Sequence, residues 1–203
     1  MERIDKNIKD QFKTGDLLLF HSNTNYFGRL IQYFTGSDYS HVGIILKDPN
    51  FIEKKMVGLF FWESSWEDYP DAEDNKIKLG VEIVHLDELI EKCGNINLYY
   101  RKLTLKNGKK ITDEKLKEIH DVVHDKPYDS VIHDWVEAFL RIDTRPQKID
   151  RFWCSAFVGY FYVKLGILPE DLDWSILRPD YFSEENSECK LIDAELGPQI
   201  KIK

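Results

Sequence analysis

The sequence is poor in cysteine, and its few cysteines are not spaced for disulfides or for a cysteine-rich metal site. Cys93, Cys154 and Cys189 make an odd count with no Cys-x-x-Cys pair. Paired spacings mark disulfide frameworks and zinc ribbons, so we expect neither of them here. Because free thiols persist in reducing compartments, the sequence predicts an intracellular, cytoplasmic protein.

Long uncharged runs are also missing. The longest aromatic-rich stretch, 152–163, ends at Lys164 and is far shorter than the roughly 20 residues that cross a bilayer. Residues 1–6 contain no apolar segment of the kind found in secretory signals. We therefore expect neither a membrane-spanning segment nor a secretory leader.

Positive charge is in deficit. The chain has 28 lysines and arginines against 36 aspartates and glutamates, a formal net charge of −8. Such a surface repels phosphate backbones, so nucleic acid is not an expected partner. A phosphate-binding P-loop, a dinucleotide glycine fingerprint and a Gly-x-Ser-x-Gly elbow are absent as well.

Neither internal repeats nor a Pro/Gly/Ser-rich linker divides the 203 residues. A chain of this length, with 42% hydrophobic residues, buries a substantial core as one domain. We predict a single domain over 1–203. Within it, residues 1–12 form an N-terminal extension, and residues 183–203 form a C-terminal hairpin around Gly197 and Pro198.

Hydrophobic periodicity and turn signals predict strands that run in series with helices at either side, which favours an α+β fold. Thr112 is a natural N-cap for one helix, which must end before Pro127. The acidic stretch 67–74 is interpreted as a solvated loop. The predicted strands are 17–20, 41–46, 59–63, 81–85 and 96–103, and the predicted helices are 26–34, 87–92, 113 onward, 134–140 and 156–165.

Cys154 is the candidate nucleophile. It stands where the polar segment 148–151 gives way to a mostly apolar helical stretch that Gly166 closes. The positive end of a helix dipole favours the thiolate, and a nucleophilic cysteine needs this help and a nearby imidazole base. The alternative interpretation is a small buried hydrophobic residue, as most free cysteines are.

His41 and Glu63 are the candidate partners of that thiol. His41 opens a predicted strand directly after a polar turn, so its ring can stand at a sheet edge. Glu63 ends a run of aromatic residues, where burying an unpaired carboxylate would cost roughly several kcal/mol. Holding and charging a histidine on the adjacent strand would explain the carboxylate. The alternatives are a histidine that caps a turn and a glutamate that points to solvent.

His120 and His124 suggest a rival chemistry. Histidines at i and i+4 share one helix face, and His-Asp-Val-Val-His resembles the zinc-binding His-Glu-x-x-His motif with a shorter acid. No third ligand is evident nearby in the sequence. The alternative is a solvated helix face flanked by charged residues such as Lys117 and Asp125.

Four blocks together resemble a known family. They are Gly15–Phe20, Ser37–Ile44 (Ser-Asp-Tyr-Ser-His-Val-Gly-Ile), Trp62–Ser64 and Trp153–Val158 (Trp-Cys-Ser-Ala-Phe-Val). Their order is similar to that of the circularly permuted papain-like thiol hydrolases of the NlpC-type superfamily. The YiiX-like branch is the nearest match, and the lecithin–retinol acyltransferases are distant relatives. Lys126–Asp129 and Leu177–Phe182 also resemble segments of that group.

The resemblance implies a circularly permuted papain-like fold, in which a central antiparallel sheet packs against helices. It implies that Cys154 is the nucleophile, His41 the base and Glu63 the residue that orients the imidazole. Tyr128 and Tyr39 would lie on the oxyanion and substrate side. No metal or organic cofactor is required. An insert before the cysteine, about 133–151, departs from the compact members.

The predicted activity is therefore that of a cysteine hydrolase, such as a thiol protease or amidase, or that of an acyltransferase. Its substrate would be a peptide, an amide, an ester or a lipid acyl group. Two alternatives stay open: a catalytically silent module of the same fold that binds acyl or peptide ligands, and a zinc hydrolase built on His120 and His124. Trp62, Trp66, Trp135 and Trp153 either line a cleft or belong to the core.

Overall fold

The computed structural model describes residues 6–21, 38–52, 56–65, 69–94, 96–129 and 149–203. The predicted helices over 26–34 and 134–140 lie outside these residues. The described helices are α1 (Lys6–Lys9), α2 (Leu86–Lys92), α3 (Asp113–Val123) and α4 (Cys154–Lys164). The described strands are β1 (Leu17–His21), β2 (His41–Lys47), β3 (Leu59–Ser65), β4 (Gly80–His85), β5 (Asn97–Arg101), β6 (Leu103–Leu105), β7 (Ala194–Leu196) and β8 (Ile200–Lys201).

Six of the strands form one sheet in the order β4-β3-β2-β1-β5-β8, and every neighbouring pair is antiparallel. Strands β6 and β7 pair separately. The helices pack around this sheet, so the predicted α+β class is confirmed. The first four predicted strands are observed within two residues of their predicted ends, because each is an apolar run bounded by clear turn signals.

Both faces of the sheet are covered, which is why most strand residues are buried regardless of alternation. Leu17, Ile44 and Trp62 belong to the larger core, into which α4 packs. Leu18 and Phe61 belong to a second core on the other face, which includes residues of α2. Helix α4 buries nine of its eleven residues, as expected for a helix that is apolar all round.

The ladder between β2 and β3 is short. Its pairs run from Lys47 opposite Leu59 to Ile44 opposite Trp62. Glu63 directly follows the last paired residue of β3, and His41 lies three residues before Ile44 in β2, so both residues stand outside the paired part of these strands. Here their side chains meet each other instead of their backbones.

The C-terminal hairpin predicted for 183–203 is wrong. Strand β7 pairs with β6 and strand β8 pairs with β5, so the chain crosses from one pairing to the other at Gly197. Arg101, which is buried, fixes this crossing because its guanidinium donates to the carbonyls of Phe182 (2.8 Å), Leu196 (3.1 Å) and Gly197 (2.9 Å). Strand β8 thus extends the edge of the six-stranded sheet, whereas β7 forms a separate pair with β6.

The acidic segment before β4 is a loop, as predicted, but its described part is not fully solvated. Tyr69 and Asp71 are buried, and Asp71 accepts hydrogen bonds from the backbone N–H of Glu73 (2.7 Å) and from Lys78 (3.0 Å). Lys78 also pairs with Asp125 at 2.6 Å, which ties this loop to the end of α3. The acidic residues thus hold the loop against the helix.

Within the described residues, no helix is both long enough and apolar enough to cross a membrane. The longest, α3 and α4, have eleven residues each. All three cysteines are free thiols.

A first prediction concerns Gly43, which faces Phe61 across the short ladder. A Cβ atom at Gly43 would lie 2.4 Å from Cζ of Phe61, closer than packed carbon atoms can approach. We expect Gly43→Ala to lower the free energy of unfolding by about 1–3 kcal/mol, measured by urea denaturation.

The control is Gly197→Ala, whose Cβ would meet its nearest atom at 3.5 Å, an ordinary contact. This variant should unfold close to the wild-type midpoint. Equal midpoints for Gly43→Ala and Gly197→Ala would contradict the close packing assigned to Gly43.

Candidate active site

Cys154 is the first residue of α4, as the sequence pattern predicts. Its predecessor Trp153 is the N-cap residue with extended backbone (φ −90°, ψ 172°), and it makes no side-chain capping hydrogen bond. The start of the helix is anchored instead by Leu177, whose carbonyl accepts from Trp153 Nε1 (3.2 Å) and Ser155 Oγ (2.7 Å). Cys154 is therefore held firmly at the positive end of the helix dipole.

Glu63 is buried, with 1% of its surface exposed, and its Oε2 contacts Nε2 of His41. The carboxylate thus has the partner that its place in an aromatic run requires. The His41 ring packs edge-on against Phe20, with ring centroids 5.2 Å apart, and tilted against Phe61. These rings restrict the orientation of the imidazole.

His41 also hydrogen-bonds Cys154, so the structure brings together the three residues that the sequence proposes for catalysis. Burial alone lowers the pKa of the imidazole, but the negative charges of Glu63 and of the Cys154 thiolate oppose burial and prevail. The pKa of His41 is consequently raised well above its ordinary value. The arrangement favours the imidazolium form of His41 beside the carboxylate of Glu63.

Tyr128 also lies at this site, in the segment that follows α3. Its backbone N–H donates to the carbonyl of Leu79 (3.0 Å), and it forms a parallel bridge with Phe152, two residues before Cys154. Tyr128 is largely buried, and burial, followed by the charges of Cys154, Asp129 and Glu63, raises the pKa of its phenol well above 10. The hydroxyl therefore stays protonated and is a hydrogen-bond donor.

Tyr39 lies at a polar cavity of about 350 Å³ that is also lined by Arg178 and several acidic residues. Its hydroxyl accepts from Nε2 of Gln199 (2.6 Å) and lies 3.4 Å from Glu185. These contacts tie Tyr39 to the C-terminal segment. Its place on the substrate side stays a prediction.

The tryptophans that are described belong to the core. Trp62 and Trp153 are 1% and 7% exposed, and Trp62 packs edge-on against Phe157 and Phe161 of α4. Trp66 and Trp135 lie outside the described residues. Trp62 and Trp153 are therefore core residues that precede Glu63 and Cys154 in the sequence, and they do not line an open cleft.

A buried carboxylate next to Glu63 was missed by sequence reasoning. Glu82 stands directly opposite Glu63 in the pairing of β3 with β4, and it is 1% exposed. Cross-strand neighbours have Cβ atoms about 4.5–5.5 Å apart, so the two side chains leave the sheet side by side on the same face. The available signal is the sequence Val-Glu-Ile-Val, in which one acid interrupts an apolar strand.

His120 and His124 lie away from this triad, and the predicted solvated helix face is wrong for His120. Its imidazole is buried and contacts Oε2 of Glu73 at 2.9 Å. His124 is partly exposed and lies 3.3 Å from the same oxygen. Glu73 was missed because nothing in the sequence shows that its loop folds back onto α3.

A second prediction follows from the raised pKa of His41. Glu63→Gln removes the neighbouring negative charge, so the pKa of His41 should fall toward about 6.5, as followed by NMR titration of the imidazole. A raised folded-state pKa stabilises the fold fully below about pH 6.5, and this contribution is lost as the pH rises through the folded value. The pH dependence of stability should therefore weaken in the variant.

The matched control is Glu118→Gln, which removes an exposed carboxylate paired with Lys115 on α3 and should leave the titration of His41 as in the wild type. An unchanged His41 titration in Glu63→Gln would contradict the electrostatic coupling described above.

No protein-family model matches the chain, and no curated protein matches it. Among solved structures, the chain is similar to the crystal structure of the metalloprotein yiiX from Escherichia coli O157:H7. The sequence identity is 22%, the TM-score is 0.45, and the match covers 76% of this chain and 67% of that chain.

Proposed function

We propose that this protein is a cysteine-dependent hydrolase or acyltransferase that acts on an amide, ester or acyl substrate through Cys154, His41 and Glu63. The observation that carries the proposal is the position of one imidazole between a buried carboxylate and a thiol at a helix N-terminus. A nucleophile, a base and a group that orients the base are the parts that covalent acyl transfer needs.

The first step is proton transfer from the thiol to the imidazole. Nε2 of His41 faces Glu63, which leaves Nδ1 as the ring nitrogen available to Cys154. The thiolate and imidazolium then stabilise each other, while Glu63 holds the ring and balances its charge. The resulting thiolate attacks the carbonyl carbon of the substrate.

The second requirement is a set of donors for the developing oxyanion. The first N–H groups of a helix have no partner within the helix, and Trp153 supplies no side-chain oxygen to cap them. The backbone N–H of Cys154 is therefore suited to this task, and the protonated Tyr128 hydroxyl is a candidate second donor.

Collapse of the tetrahedral species expels an amine or alcohol, which takes the proton from the imidazolium of His41. The thioester on Cys154 is then resolved by water, which gives hydrolysis, or by another nucleophile, which gives transfer. In this scheme no step requires a metal or an organic cofactor.

A circularly permuted papain-like fold is part of the same proposal. The base precedes the nucleophile along the chain, as the resemblance implies for the permuted members of that superfamily. An antiparallel sheet that carries His41 and Glu63, with a buried helix that begins at Cys154, is compatible with that arrangement.

A third prediction separates the tasks within the triad. Glu63→Gln keeps an oxygen beside His41 but removes the charge, so turnover of a thioester or activated-ester substrate should fall roughly 10-fold. Glu63→Leu removes the orienting group altogether and should cost roughly 100-fold or more, within the range of general base catalysis. The measurement is kcat/KM at pH 7 for each variant, with folding checked by circular dichroism. Wild-type turnover in both variants would mean that Glu63 does not hold the base.

A fourth prediction, which tests the proposal directly, is that Cys154 is the cysteine that reacts. Iodoacetamide near pH 6 should modify Cys154 at least roughly tenfold faster than the other two cysteines, because thiolate is the reacting species. Burial raises the pKa of Cys189 to about 11, although Arg101 opposes this shift, and Cys93 is the C-cap residue of α2, at the negative end of that helix dipole. Both cysteines are therefore internal controls, read site by site by peptide mass spectrometry.

His41→Ala should slow the reaction of Cys154 sharply at pH 6 and less at high pH. A thiol-directed acyl probe should form a thioester on Cys154 that turns over in the wild type and persists in His41→Ala. Equal alkylation of all three cysteines, or no effect of His41→Ala, would rule out the thiol mechanism. Rapid alkylation without any acyl turnover would indicate a silent binding module.

A further inference from the structure

A second cluster of chemically reactive side chains lies on α3, outside the proposed active site. His120 and His124 are one helical turn apart on the same face, and Glu73 approaches them from the loop between β3 and β4. One nitrogen from each ring and one oxygen of Glu73 all lie within 4.8 Å of one another. Two imidazoles and a carboxylate from two separate elements thus converge on one point.

The distances at this point suit a metal ion. Nε2 of His120 and Nδ1 of His124 lie 2.9 Å and 3.3 Å from Oε2 of Glu73. Two ligands about 2.1 Å from a tetrahedral metal lie about 3.4 Å apart. Small side-chain movements of a few tenths of an ångström would therefore open the cluster around an ion.

The second nitrogen of each ring, the one that does not face Glu73, supports the same conclusion. A histidine that binds a metal through one nitrogen usually donates its other N–H to a carboxylate, which fixes the tautomer. Asp121 lies 3.6 Å from Nδ1 of His120, and Asp125 lies 3.3 Å from Nε2 of His124. Each imidazole thus lies between the shared point and a separate carboxylate.

The surroundings strengthen any interaction with a cation at this point. The His120 ring is packed between Phe51 and Trp62, with centroids 6.2 Å and 6.0 Å away, and it is buried. Its Nδ1 makes no hydrogen bond, although it is inaccessible to solvent. Metal binding at Nε2 would strengthen the Nδ1–H as a donor toward Asp121.

The donors select the class of ion. Ca²⁺ and Mg²⁺ prefer oxygen ligands, whereas two imidazoles with one carboxylate suit Zn²⁺ and similar first-row divalent ions. Three protein ligands leave a fourth position for water. His124 is the more exposed of the two histidines, with 36% of its side chain accessible, so it offers a side from which the ion can enter.

We propose that Glu73, His120 and His124 form a site for a zinc-like divalent transition-metal ion, with Asp121 and Asp125 as its outer carboxylates. Binding would clamp the loop before β4 onto α3. The same region already joins Lys78 to Asp125. None of the three ligands belongs to the proposed triad, so this site stands or falls independently of the cysteine chemistry.

The test is a Zn²⁺ titration of the full chain with Cys154→Ser, because a reactive thiol beside His41 would itself bind zinc. The protein is stripped with a chelator, then titrated by calorimetry, with bound metal counted after gel filtration. We expect about one equivalent of tightly bound Zn²⁺. The melting temperature should rise by about 5 to 10 °C when free zinc is a hundredfold above its dissociation constant.

The variants, all made in the Cys154→Ser background, are His124→Gln and Glu73→Gln, with His85→Gln as the matched control at an exposed histidine. Each of the first two should weaken zinc binding by more than roughly 100-fold and abolish the melting shift, whereas the control should leave both unchanged. Asp121→Asn should weaken binding roughly 10- to 100-fold. Co²⁺ should give the visible absorption of a tetrahedral site in Cys154→Ser and not in His124→Gln.

Melting in chelator shows that a variant is folded before it is scored, and Glu73→Gln serves if His124→Gln does not fold. Absence of stoichiometric binding in Cys154→Ser would overturn the proposal, as would unchanged binding in both ligand variants. A melting temperature that responds to pH but not to zinc would show that the cluster is a histidine–carboxylate network only. Because the readouts use a protein without the nucleophile, loss of the hydrolase proposal would leave this result intact.

Discussion

The contact between Glu63 and His41 is the constraint on which the site depends. A carboxylate that is 1% exposed among aromatic side chains is tolerated only with a charged or hydrogen-bonding partner, and the imidazole supplies one. The pair lies outside the paired part of β2 and β3, where the two side chains contact each other. The same imidazole also hydrogen-bonds Cys154, so the buried acid helps to set the orientation of the base.

The position of the thiol has a different origin. Helix α4 is apolar on every side, so it must be enclosed by the sheet on one side and by the segment near Leu177 on another. Its first turn is fixed by side-chain hydrogen bonds to one carbonyl of that segment. The nucleophile and its base are therefore positioned by two independent packing requirements. They lie more than half of the chain apart in sequence, so the site forms only when the sheet and α4 have docked.

Much of the fold could be predicted from local sequence patterns. The strands that hold His41 and Glu63, the cap at Thr112 and the helix that begins near Cys154 were predictable because each is encoded within a few residues. The partners of β7 and β8 were not predictable from local patterns. These partners, β6 and β5, lie about a hundred residues earlier in the chain. Glu73 and Glu82 were missed for the same reason: their significance lies in what faces them across a loop or a ladder. For Trp62 the sequence left two interpretations open, a cleft residue or a core residue. Its burial in the structure supports the second.

The crossing at Gly197 matters beyond the site. Strand β5 is rich in aromatic residues, and its outer edge would present a row of open backbone groups to any other chain. Strand β8 occupies that edge, through pairs at Tyr99 and Tyr100, and then offers a two-residue edge with Lys201 in place of a longer one. Short and charged edges resist further pairing. Strand β8 thus protects the sheet against self-association. Because it covers the edge of β5, that aromatic strand cannot act as a template for aggregation.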